Sequence, residues 1–280
     1  MNRAVFVSLT ILFLLSVSSI TGLIRTAKAE SGTITINADG SISPSSAPIY
    51  TADNITYTLT GNITAATDGI LIERDNIVLN GAGYTVSGSG SGEGTMLREI
   101  SNVTINNMII ENFGNGVYLW TTFDCTLSGN TVTNNTNDGI FLFYSSYCIL
   151  SGNTVANNNE SGILLSSSSD NSIFYNSFVN NTNQVIFTNG LALANVWDNG
   201  SSGNYWSDYL TKYPNATQVD SSGVWNTPYL IDANNTDYHP LMTQIVVVSE
   251  FPSFLILPLF MIATLLTLII YKKKSGKSTR

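Results

Sequence analysis

Along the middle of the chain, apolar residues alternate with polar ones only over short stretches: Val117 and Leu119, then Leu127, then Val132, with Gly, Ser or Asn clusters between them. Period-two stretches bounded by turn residues predict strands, and none is long enough to predict a helix. The pattern returns at a fixed interval. Gly116, Gly139 and Gly162 are spaced by 23 residues, as are Asn130, Asn153 and Asn176, and Cys125 with Cys148. The repeats read GVYLWTTFDCTLSGNTVTNNTND, GIFLFYSSYCILSGNTVANNNES and GILLSSSSDNSIFYNSFVNNTNQ, and SNVTINNMIIENFGN before them fits with a one-residue shift.

Three short strands per repeat make one triangular coil, and no strand buries its inner face alone. Successive coils must therefore stack, each strand pairing in parallel with its copy about 4.8 Å away. The expected fold is all-β, a parallel β-helix, right-handed by the general preference of crossover connections. DGILIERDNIVLNGAGYTVSG from Asp68 and NITYTLTGNITAA from Asn54 read as further coils, giving roughly six coils over residues 48–187, after a lead-in at 30–47. Ser87 to Gly94 reads as a Gly/Ser loop bulging from the solenoid. Residues 188–243 drop the repeat and are assigned to capping, because a stack exposes the strand edges of its last coil.

The two ends add a membrane context. Residues 1–29 read as a secretory signal: Arg3, an apolar run from Ala4 to Ile24, then Ala27-Lys28-Ala29. An uncleaved anchor helix is the alternative reading. Residues 244–250 are a linker, 251–271 are almost wholly apolar, and 272–280 carry Lys272, Lys273, Lys274, Lys277 and Arg280. That pattern predicts a single membrane helix with an inside basic tail and everything before it outside the cell. The outside part holds all 19 acidic residues against Arg74, Arg98 and Lys212, a net charge of −16. Such a surface repels phosphate backbones, which excludes nucleic acid as a partner.

The SGNTV and GI-x-L phrases and the GNYWSDY…TPY…ID…NTDY-x-PLM tail resemble archaeal surface proteins with the NosD-like parallel β-helix domain, over about residues 50–243. EFPSFLILPLF…YKKK resembles the recognition segment of archaeosortase-processed surface proteins, which implies cleavage and transfer to a lipid; Ser249 stands where those signals carry Pro, leaving a plain membrane anchor as the alternative. The NosD likeness implies copper delivery. Copper sites need clustered His, Cys or Met, and this chain has one His, His239, with scattered Met residues, so no metal or other cofactor is expected.

The candidate chemistry lies on the coils. Cys125 and Cys148 share one inward position on adjacent coils, as a buried thiol stack or a disulfide. Asn130, Asn153 and Asn176 fall where a turn points inward, and stacked amides bond up and down such a column. Asp124 and Asp170 occupy one column with Tyr147 between, about 9.6 Å apart at the coil rise. That makes them weak catalytic candidates, because a glycosidase pair sits about 5–9.5 Å apart and Asp is common beside turns. Ile100 to Tyr209 holds no Lys or Arg, which argues against a lyase there. With Val117 and Leu119 inward, Tyr118 and Trp120 point out, as do Phe141 and Phe143 one coil later. The four rings form a binding block of several hundred Å² for sugar rings or a partner protein, unless the tail or the Gly/Ser loop covers it. Nine Asn-x-Ser/Thr triplets, from Asn54 to Asn234, permit glycosylation. The reading this favours is a non-enzymatic, membrane-anchored extracellular protein that binds polysaccharide or another surface component. The alternatives are a carbohydrate-active enzyme of glycoside-hydrolase type and a purely structural surface-layer or adhesion protein.

Overall fold

The computed structural model describes residues 32–188 and 193–245. Within them the short strands stack into three parallel sheets, as the alternation requires. One face is an eight-stranded sheet that takes in Ile70–Ile72, Glu93–Arg98, Asn115–Trp120, Ile140–Phe143, Ser161–Ser166 and Asn183–Thr188. The other two faces are seven-stranded. Equal positions lie over one another: Val117 pairs with Ile140 and Ile140 with Ile163, while Thr126 pairs with Ile149 and Ile149 with Ser172. Thr104 pairs with Thr126, the one-residue shift read from the sequence. The result is an all-β parallel β-helix of about six coils and about 23 residues per turn.

Two boundaries differ from the sequence reading. Ile34–Ile36 pairs in parallel with Ile70–Ile72, so part of the lead-in is already stacked on the solenoid, and Ile42–Ser43 folds back antiparallel beside it. Glu93 and Gly94, read as loop, begin the strand Glu93–Arg98, because Glu93 finds a register partner in Asn115. The bulge thus narrows to residues 88–92. It is tied down by Gly90 N–H donating to Asn112 O (2.6 Å) and Thr136 Oγ1 donating to Gly90 O (2.9 Å), away from the aromatic block.

The interior is a column of Ile, Leu and Val, among them Ile105, Leu127, Val132, Leu142 and Ile163, all 1% exposed or less. At about 25 cal/mol per Å², burying such side chains stabilises the stack by roughly 1.5–3 kcal/mol each. The repeated glycine serves space rather than turn geometry: a Cβ at Gly116 would lie 2.2 Å from Val132 Cγ1, and one at Gly139 2.5 Å from Val155 Cγ1. Inward corners, which cannot be filled by strands, are filled by polar ladders. Asn130 Nδ2 donates to Asn153 Oδ1 (3.0 Å) and Asn153 Nδ2 to Asn176 Oδ1 (2.9 Å). A second column, Asn135, Asn158 and Asn181, repeats the arrangement at 2.9 Å. Thr122, Ser145 and Ser168 form a hydroxyl column on another corner.

Residues 193–245 close the open end. Tyr205–Trp206 pairs with Ser177 and Phe178, and the core continues as a pile of rings: Trp206 stacks on Phe178 at 4.7 Å and on Tyr229 at 4.3 Å. The ladders end here too. Asn176 Nδ2 donates to Asn204 Oδ1, and Asn204 N–H donates to Asp237 Oδ2 at 2.7 Å, which also accepts from Trp206 Nε1 at 2.9 Å. The tail motif is therefore a plug: Asn204 ends the amide ladder of the last coil, and Asp237 in turn satisfies Asn204 and Trp206. Among the described residues no helix is long and apolar enough to cross a membrane; the expected signal (1–29), membrane segment (251–271) and basic tail (272–280) lie outside them.

Candidate binding surface

The outward side chains of Asn115–Trp120 and Ile140–Phe143 bring together the four rings expected from parity. Tyr118 and Phe141 stack at 4.8 Å with 17° between planes, Tyr118 and Trp120 lie 6.4 Å apart, and Phe141 meets Phe143 edge-on at 6.0 Å. All four are half-buried. Arg98, which pairs with Trp120 on the neighbouring strand, holds its guanidinium 4.2 Å from the indole centroid. Face-to-face stacking in a column about 4.8 Å high turns the Tyr118 and Phe141 faces toward each other.

Beside this block the chain turns a corner, where the rings continue although strand parity does not point to them. Tyr144 contacts Phe143 edge-on at 4.5 Å. Phe123, Tyr144 and Tyr147 are 40%, 52% and 60% exposed. Tyr144 (φ 48°) and Tyr147 (φ 60°) both occupy the left-handed backbone region. Asp124 (φ 55°) and Asp170 (φ 58°) take the same turn position one coil below and one above Tyr147, both exposed. Asp124 and Asp170 are thus left-handed turn residues flanking an exposed ring.

At the other edge of the long sheet, Glu93, Asn115 and Asp138 follow one another up a column. Asn115 Nδ2 donates to Glu93 Oε1 (3.3 Å), Asp138 N–H to Asn115 Oδ1 (3.2 Å), and Ser161 Oγ to Asp138 Oδ1 (2.5 Å). Burial pushes the Glu93 carboxyl up to about 7, with repulsion from Asp68 and Asp138 adding to it and the Asn115 hydrogen bond opposing it. Burial also raises Asp138. The charge of Glu93 in turn helps burial raise the Tyr118 phenol, which places this column next to the ring block. From the sequence, Glu93 falls within the Gly/Ser loop and Asp138, just before Gly139, reads as an ordinary turn residue, since the offset of the bulge hides their common column.

Cys125 and Cys148 are buried free thiols at one position on adjacent coils. Cys148 Sγ donates to Ser146 O, and its contact with Cys125 together with burial raises its pKa. Their column continues as amides: Cys148 N–H donates to Asn171 Oδ1 and Asn171 Nδ2 to Asn195 Oδ1, both at 2.9 Å. A cleft of about 270 Å³ at the plug is lined by Asn183, Asp208, Lys212 and Tyr229 among others; Tyr229 Oη donates to Asp208 Oδ2, while Asn183 Nδ2 and Lys212 Nζ donate to the carbonyls of Glu160 and Leu230.

The family profile described as "Periplasmic copper-binding protein (NosD)" matches residues 14–211. Among solved structures, the periplasmic alginate epimerase AlgG is similar at 17% identity over 46% of this chain and 40% of the epimerase, with a TM-score of 0.35. A mutant of the same epimerase aligns at 19% identity over 46% of this chain and 34% of the other, with a TM-score of 0.39. The chain thus spans well under half the length of the epimerase, and the likeness carries no statement about activity. No curated protein matches. Copper, which the family description implies, finds no fitting donor set on the described residues. No group of three or more His, Cys, Asp and Glu converges among them, His239 Nδ1 is engaged 3.0 Å from Asp198 Oδ1, and the two thiols are sealed in the core. With nearly three quarters of its length matched by that profile, the chain belongs to the NosD family.

Proposed function

We propose that this protein is an extracellular, membrane-tethered solenoid that binds carbohydrate without transforming it, through the flank of the long sheet around Tyr118, Trp120, Phe141 and Phe143. The observation that carries the reading is the cluster of half-buried and exposed rings on coils whose remaining surface is mostly Asn, Ser and Thr. Aromatic groups of this extent on a monomer are often functional. The family description, periplasmic, agrees with a protein exported across a membrane. Secretion by residues 1–29 and anchoring by 251–271 complete the proposal. The test is retention of the purified full-length chain on immobilised polysaccharides. Binding that weakens in Tyr118→Ala and Trp120→Ala supports the reading, and an absence of retention on every glycan rejects it.

A hydrolytic reading draws on one specific observation, the raised carboxyls of Glu93 and Asp138 beside the rings. They stand two coils apart, about 9.6 Å at the rung height and at the far limit for a glycosidase pair. New reducing ends that disappear in Glu93→Gln would favour it over simple binding.

A further inference from the structure

The repeat supplies its own controls for deciding which residues the fold needs. In the corner that follows each strand of the long sheet, the position of Tyr144 is held by Glu99, Thr121 and Ser167 in the neighbouring coils, all with positive φ. The position of Tyr147 is held by Asn76, Asn102, Asp124 and Asp170, again all with positive φ. The position of Phe123 is held by Ser101 and Ser146, with which it forms backbone bridges. Small or polar residues therefore satisfy this turn wherever else it occurs. A bulky residue in the left-handed region costs about 1–2 kcal/mol that Asn largely avoids, and an exposed ring gains little burial in return. Three aromatic side chains nonetheless fall together at one place, on two adjacent coils, next to the ring block.

Within the block the ring faces are already used, Tyr118 on Phe141 and Trp120 under Arg98. The corner rings are the more exposed ones. We infer that the surface which meets the ligand is this corner, Phe123, Tyr144 and Tyr147, supported by the block, and that the ligand is a neutral glycan chain. The inference rests on the carbohydrate reading and narrows it to a place and a chemical class. A pyranose has an apolar face rimmed by hydroxyls, and Tyr147 offers the matching arrangement: an exposed ring with the carboxylates of Asp124 and Asp170 on either side of it along the column. Those carboxylates, on a part of the chain with a net charge of −16, repel an anionic glycan and accept hydrogen bonds from an uncharged one.

The experiment uses substitutions that the neighbouring coils already contain, so that folding is not in question: Tyr144→Ser, Tyr147→Asn and the double variant. Titration calorimetry on the full-length chain in detergent is run with cellohexaose, mannohexaose, chitohexaose and hexagalacturonate. One neutral hexamer binds, each single variant weakens it about fivefold and the double variant more than tenfold, while thermal stability is unchanged or raised. If Tyr118→Ala removes binding while the corner variants leave it intact, the corner assignment fails and the carbohydrate reading stands. Preference for hexagalacturonate overturns the neutral class. No binding of any hexamer overturns this inference, and with no retention on immobilised polysaccharide it overturns the reading it rests on.

Discussion

Replacing Asn153 with alanine removes one rung of a buried ladder, and the cost follows from the bonds it makes. Asn153 is 0% exposed. Its Oδ1 accepts from both the backbone N–H and the Nδ2 of Asn130, at 3.0 Å each, and its Nδ2 donates to Leu127 O at 2.8 Å and to Asn176 Oδ1 at 2.9 Å. The Asn130 N–H would be left in the core with no partner, and Leu127 O would lose a donor. At about 1–3 kcal/mol for each buried group left unsatisfied, the substitution costs roughly 2–5 kcal/mol. That is a large part of the 5–15 kcal/mol typical of a whole domain. Urea unfolding followed by far-ultraviolet circular dichroism should show the midpoint fall by roughly 1 M. Asn159→Ala, an exposed position of the same coil, is the control and should stay within about 0.5 kcal/mol of the parent. Equal, small effects of the two substitutions would refute the ladder as a source of stability.

Three further outcomes follow from the same geometry. Burial raises Asp237 to about 6 and Glu93 to about 7, so the folded state holds these protons more tightly than the unfolded chain; their contribution is greatest below the unfolded carboxylate range and is lost as pH rises through 6 to 7. For Asp237 this amounts to as much as about 3 kcal/mol, so melting temperatures should fall between pH 5 and pH 8, and less so in Asp237→Asn; a chain equally stable at both values contradicts it. Cys125 and Cys148 are buried free thiols, so a maleimide should leave the native chain unlabelled and label two sites after unfolding without reductant, whereas no labelling after unfolding would reveal a disulfide. Gly116→Ala places a methyl 2.2 Å from Val132 Cγ1 and should destabilise by about 1–3 kcal/mol, visible in the same urea titration and absent if the coils can shift to make room.

The stack was legible because the residues that enforce it repeat on three successive coils where the coil is tightest: Gly116, Gly139 and Gly162 at the crowded corner, and Asn130, Asn153 and Asn176 on the ladder. The ring block was legible from strand parity. The second ladder had the same spacing, but in each Asn-Asn pair one residue turns the chain with positive φ, as Asn134, Asn157 and Asn180 do, and its neighbour points inward. Composition does not separate two adjacent identical residues with opposite roles. The corner rings were hidden for a different reason. Parity assigns a face to a strand residue, whereas a left-handed turn has none, so Tyr147 reads only as the residue between Asp124 and Asp170 in their column, and nothing joins Tyr144 to the ring block. Asp237 was beyond reach because its contacts with Asn204 and Trp206 join segments of the plug that share no periodicity.

The claim beneath all of this is that equal positions of successive repeats lie directly over one another. Asn112 and Asn180 occupy the same left-handed turn position on coils three rungs apart, both exposed, which puts their backbones about 14 Å apart at the parallel-strand spacing. Spin labels at these two sites, read by dipolar electron paramagnetic resonance, should report a separation near that value, broadened only by the label arms. A distance well beyond 20 Å would mean that the repeats do not form rungs at all.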